Sequence, residues 1–148
     1  MIAKRLKQVE SGPYWQLLGM KIVEAQEGKV KLELELKEEH MQIYGVVHGG
    51  VLASLVDSAV GVAVQSTLSD LEGSTTTNLQ IMYARPAKAG RLIAEAELIR
   101  RGKTIVFGDC RVSDASGELI VHGNATYMIL DLQRWSKDKA VRLELDKS

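Results

Sequence analysis

The plainest pattern in the chain is KVKLELELK at 29–37. Val30, Leu32, Leu34 and Leu36 fall on one face, with Lys31, Glu33, Glu35 and Lys37 on the other. A period of two marks a strand with one face in a core and one in water. Residues 20–27 predict a strand before it, and Gly28 the turn between the two. Residues 1–19 mix charge with Trp15, Leu17 and Leu18 and predict short helices broken at Gly12-Pro13. After a loop at 38–47 comes HGGVLASLVDSAVGVAVQSTL. That run is too long for a strand and is small or apolar nearly all round. It predicts one helix at 49–67, buried on most sides. Gly61 costs such a helix about 1 kcal/mol relative to Ala, which implies the close approach of another backbone. SDLEGS at 69–74 predicts a turn. Four β-rich segments follow at 75–84, 91–101, 104–113 and 119–130. Turn residues separate them at Pro86 to Gly90, Arg101-Gly102-Lys103 and Asp114 to Gly117. A helix with so little polar surface needs cover on several sides. A strongly curved antiparallel sheet of five or six strands wrapped round it supplies that, in an α+β arrangement. The chain therefore divides into an N-terminal helical segment at 1–19, a central domain at 20–130 and a polar C-terminal tail at 131–148. The tail carries Trp135 and a short LEL, and reads as a docked helix or a frayed end.

Composition narrows the function more than the fold. At 148 residues the chain fits one domain with a real core. Its formal net charge is zero, which lacks the basic footprint of a nucleic-acid binder. Aromatic residues are 5%, too few for a base-stacking platform. Cys110 is the only cysteine, so no intramolecular disulfide forms and no cysteine cluster holds zinc. A reducing, cytoplasmic location follows as the expectation. The N-terminus has no apolar core of a secretory signal. The longest apolar stretch, Val51 to Val64, is interrupted by Ser54, Asp57 and Ser58 and falls short of the roughly 20 residues a membrane span needs. No phosphate-binding loop, dinucleotide fingerprint, G-x-S-x-G or H-E-x-x-H occurs, so neither a cofactor nor a metal is expected.

The chemistry concentrates in Gln42-Ile-Tyr-Gly45-Val-Val-His48-Gly49-Gly50 and in Asp57. His48-Gly49-Gly50 stands where loop becomes helix. The first N–H groups of a helix have no internal partners and lie at its positive end. Glycine there lets a ligand approach the backbone. Such a site fits an oxygen that gains negative charge, as a thioester carbonyl does under attack. Asp57 lies between Leu55, Val56, Ala59 and Val60, with Ser54 and Ser58 but no basic residue nearby in sequence. Burial there would raise its pKa, which serves a general base. Asp57 is eight residues beyond Gly49, about 12 Å along the axis. A base and an oxyanion donor for one carbonyl must both lie within a few ångströms of it. One helix cannot easily supply both. Two antiparallel copies can, so if both residues are catalytic the active unit is a dimer with two sites.

These residues resemble the PaaI-like branch of the hotdog thioesterase superfamily: Gln42, Gly45, His48, Gly49 and Gly50, then a carboxylate at Asp57. The likeness extends through Tyr83-Ala-Arg85-Pro86, Gly90 and Arg101-Gly102-Lys103, and covers about residues 20–130. It implies a hotdog fold, a sheet curved around a long central helix. It also implies hydrolysis of an acyl- or aroyl-CoA thioester by a homo-oligomer, commonly a tetramer built as a dimer of dimers. By position the Gly49 N–H would polarise the carbonyl, assisted by Gln42, which stands where Asn is commoner. Asp57 of the partner chain would activate water or attack directly. Thr75 would orient the water, and His48 would support the loop or the thioester end. Gly50, Arg85, Arg100, Arg101, Gly102 and Lys103 are the expected contacts to the CoA portion. Two other functions stay open at this point: a hotdog hydratase or dehydratase, and a non-catalytic acyl-CoA-binding module.

Overall fold

The alternation at 29–37 becomes a strand because one of its faces meets a helix. In the computed structural model, which describes residues 2–135, Val30, Leu32 and Leu34 are buried and the charged residues between them, Lys31 and Glu33, are not. This strand, β2 (Lys29–Glu35), follows α1 (Ile2–Glu10), α2 (Pro13–Leu18) and β1 (Lys21–Gln26). Gly28 turns β1 into β2 with φ of +75°, a conformation that favours glycine. The N-terminal break falls at Gly12, with Pro13 at the first helical position, where its missing N–H costs nothing. Then come α3 (Gly49–Gln65), β3 (Glu72–Tyr83), β4 (Arg91–Arg101), β5 (Ile105–Asp114), β6 (Leu119–Asp131) and a single turn, α4 (Leu132–Trp135). The remainder of the tail expected at 131–148 lies outside the described residues from 136 onward.

All six strands join one antiparallel sheet in the order β1-β2-β4-β5-β6-β3. The helix α3 packs on strands from β2 to β3, across the concave face. Its Leu52, Leu55, Val56, Ala59, Val60, Val62, Ala63 and Val64 are buried, against Leu32, Leu34, Leu92, Ala94, Val106, Val112 and Val121. Each fully buried Val or Leu contributes roughly 1.5–3 kcal/mol, which outweighs the about 1 kcal/mol that Gly61 costs. Burial decides the helix. The approach at Gly61 comes from a side chain rather than a backbone: a Cβ there would lie 2.7 Å from the Tyr127 hydroxyl.

One boundary differs from the sequence expectation. The strand expected at 75 begins at Glu72, because the preceding turn closes early. The Glu72 carboxylate accepts the Ser69 N–H at 2.9 Å, and Glu72 already pairs with Asp131 of β6. That backbone hydrogen bond, with Arg101 nearby, holds the Glu72 carboxyl below the usual range, against some opposing burial. Helix α1 is tied to this corner by Arg5, which donates to the Ser69 carbonyl at 2.7 Å and the Glu72 carbonyl at 3.2 Å.

Candidate active site

His40 fixes the loop that leads into α3. It is buried, its Nδ1 accepts the Lys37 N–H at 3.0 Å, and its Nε2 reaches the Leu18 carbonyl at 2.8 Å. Its own carbonyl accepts the His48 N–H at 2.8 Å. Between these anchors, Gln42 to Val46 form a tight reversal. The Gln42 N–H bonds the Val46 carbonyl, and Gly45 adopts φ of +75°. The Gln42 side-chain oxygen accepts the Tyr44 N–H, inside the same turn.

His48 is the N-cap of α3. Its Nδ1 accepts the Gly50 N–H at 2.8 Å, which satisfies one orphan donor of the helix. The Gly49 N–H has no partner among the described residues. The two glycines of the motif therefore differ: the amide of Gly50 is occupied and that of Gly49 is open. Tyr83, at the end of β3, donates its hydroxyl to the Gly49 carbonyl at 2.9 Å and covers one side of the turn.

Asp57 sits two turns further along, half-buried in the single chain. Thr76 Oγ1 donates to its Oδ1 at 2.9 Å. The Tyr127 hydroxyl lies 2.8 Å from Oδ1 and 2.7 Å from the Asp57 carbonyl, sharing its one proton between them. Oδ2 has no partner among the described residues. Burial first, and then the Asp57 charge, hold the Tyr127 phenol well above its ordinary range, so it remains a donor. Ser54 turns away from Asp57, donating to the Gly50 carbonyl and meeting the Tyr14 hydroxyl at 2.6 Å.

Thr75 is exposed and makes no contact with Asp57; its neighbour Thr76 does. The reason is a bulge in the β3–β6 register between Thr76 and Asn78. It shifts the alternation, so Thr76 shares the inner face with Leu79 and Ile81. Tyr127 carried no signal in sequence, being 70 residues from its partner.

The basic residues separate by role and position. Arg101 is committed to Glu72 at 3.2 Å and to Thr67 at 3.2 Å. Gly102 closes the β4–β5 turn with its N–H on the Ile105 carbonyl. Arg100 and Lys103 beside them are exposed and have no partner among the described residues. Arg85 pairs with Glu118 at 2.6 Å. It lies two residues beyond Tyr83, which is itself eight residues, about 26 Å, along β3 from Thr75 at the β4–β5 end of the sheet. In a single chain Arg85 and the other three cannot hold one phosphate.

A curved antiparallel sheet around one long helix defines a hotdog fold. Comparison with known proteins gives the family. Residues 44–121 match the family model of the thioesterase superfamily. Human acyl-coenzyme A thioesterase 13 is 35% identical over 107 residues, spanning 71% of this chain and 76% of that protein. The E. coli PaaI protein from the phenylacetic acid degradation operon superimposes with a TM-score of 0.81 at 21% identity, over 87% of this chain and 93% of that one. A thioesterase family protein from Silicibacter pomeroyi gives 0.83 at 24% identity, over 88% and 99%. The chain belongs to the thioesterase superfamily, has its hotdog fold, and is a thioester hydrolase.

Proposed function

We propose that this protein hydrolyses an acyl- or aroyl-CoA thioester to the free acid and CoA, with Asp57 as the catalytic carboxylate. The observation that carries this reading is the division of labour on α3. Asp57 is held by Thr76 and Tyr127 with one oxygen open, and the Gly49 N–H is open at the start of the same helix. Asp57 takes a proton from water as the resulting hydroxide adds to the thioester carbonyl, or its carboxylate adds directly. The carbonyl oxygen gains negative charge and takes the Gly49 N–H, with Gln42 assisting. Collapse breaks the C–S bond and expels the CoA thiolate, which takes the proton that Asp57 removed from water; on the direct route the thiolate takes a proton from solvent, and water then hydrolyses the anhydride left on Asp57 to the free acid. His48 keeps the loop in place by holding Gly50, and Thr75 lies one residue from the hydroxyl that holds the carboxylate.

The site is shared between two copies. The Tyr83 side chain reaches Gly49, and the Thr76 side chain reaches Asp57. Strand β3 is an exposed edge of the sheet. If two β3 edges pair antiparallel about a two-fold axis near Leu79-Gln80, Tyr83 of one copy comes beside Thr76 of the other. Gly49 then faces the partner's Asp57. The same pairing brings Arg85 of one copy toward Arg100, Arg101, Gly102 and Lys103 of the other, at the end where the CoA phosphates would lie. Pairs of such dimers make the tetramer. A buried lone thiol at Cys110 fits a cytoplasmic location.

A panel of short, medium, long and aromatic acyl-CoAs, followed by free-thiol detection, tests the proposal. Thiol release with at least one member supports it. Binding of the panel with no release by any member contradicts it, leaving a thioester other than an acyl-CoA as the substrate.

A further inference from the structure

We infer that Tyr127 is a positioning residue for the Asp57 carboxylate, that Gly61 exists to admit its hydroxyl, and that Oδ2 is the reacting oxygen of Asp57. The inference rests on the reading of Asp57 as catalytic.

Three observations converge. Both hydroxyl donors reach the same oxygen, Oδ1, from Thr76 on β3 and Tyr127 on β6. Those residues face each other directly in the β3–β6 register. A carboxylate with one oxygen held twice is fixed in rotation, and its second oxygen points one way. No charged side chain pairs with Asp57 among the described residues; its side-chain partners are these two hydroxyls. Finally, Gly61 lies one helical turn beyond Asp57 on the same face. A Cβ there would stand 2.7 Å from the Tyr127 oxygen, but 3.4 Å from the ring carbon that bears it. The glycine makes room for the hydroxyl, not for the ring.

Each donor removed frees the carboxylate to rotate, so Oδ2 is aimed less often at the reacting carbon. The test compares Tyr127→Phe, Gly61→Ala, the double variant and Asp57→Asn, all as full chains, by steady-state thioester hydrolysis from acid to neutral pH. Tyr127→Phe keeps the ring and loses the donor. The expected result is a kcat about tenfold lower with KM within about twofold. Gly61→Ala displaces the hydroxyl and gives the same direction of change. In the Tyr127→Phe background the alanine costs little further activity, because the atom it would meet is gone. The proposal is overturned if Tyr127→Phe and Gly61→Ala leave kcat unmoved while Asp57→Asn is inactive. It is equally overturned if they lower activity only in step with the folded fraction. If Asp57→Asn is itself fully active, the reading of Asp57 fails and this one with it.

Discussion

Asparagine in place of Asp57 keeps an Oδ1 for both hydroxyls to reach and loses only the charge. Asp57→Asn is therefore predicted to fold normally while kcat for thioester hydrolysis falls about a hundredfold or more. Near-wild-type turnover by the purified variant would refute the role. Cys110 shows the opposite behaviour of a buried group. Burial, then the charges of Asp109 and Glu95, push its thiol up to about 12. It should resist a disulfide reagent at pH 8 until the protein is unfolded; rapid labelling of the native chain would contradict its burial. Asp57 was legible in sequence because an acid in an apolar helix needs an explanation. Gly49 was legible because helix starts carry open donors. Thr76 was not, since alternation read back from Leu79 and Ile81 leads to Thr77 and Thr75. Only the bulge breaks that count. Tyr127 was invisible because a hydrogen bond across the sheet leaves no periodic trace.

At the scale of elements, α3 rides close to the sheet because two inner-face positions lack side chains. A Cβ on Gly108 of β5 would lie 2.4 Å from a Val60 methyl group, and one on Gly123 of β6 would lie 2.9 Å from a Val56 methyl group. Gly108→Ala should therefore cost about 1–3 kcal/mol of stability by overpacking, read as a lower denaturant midpoint with an unchanged slope. No loss of stability would mean the helix can move away freely. The β4–β5 turn carries a second prediction. Replacing Arg100 and Lys103 together should raise KM for a CoA ester more than it lowers kcat, with added salt weakening binding to the wild type. An unchanged KM retires the phosphate role. Strand β4 was readable to the residue because charged and apolar positions alternate between clear turns. The start of β3 was not, because the Glu72 carboxylate closes the turn that SDLEGS only announced.

At the scale of the whole molecule, the sheet has a twelve-residue edge beside the carboxylate that is unpaired among the described residues. A long exposed edge invites another strand. The sequence pointed to two copies through a different feature, the eight-residue gap between Gly49 and Asp57. Tyr83 bonds Gly49 and Thr76 bonds Asp57, so both ends of that gap lie along this edge. Subunit complementation tests the shared site directly. Gly49→Pro removes the open N–H at a position where proline is tolerated, since it is the first residue of the helix and His48 before it is extended. Gly49→Pro chains and Asp57→Asn chains, each inactive alone, are mixed under conditions that exchange subunits, and thiol release is measured. Random pairing makes half the dimers mixed, each with one site holding both intact halves, so about a quarter of wild-type activity should return. Confirmed mixed dimers with no recovered activity would contradict a site built from two chains.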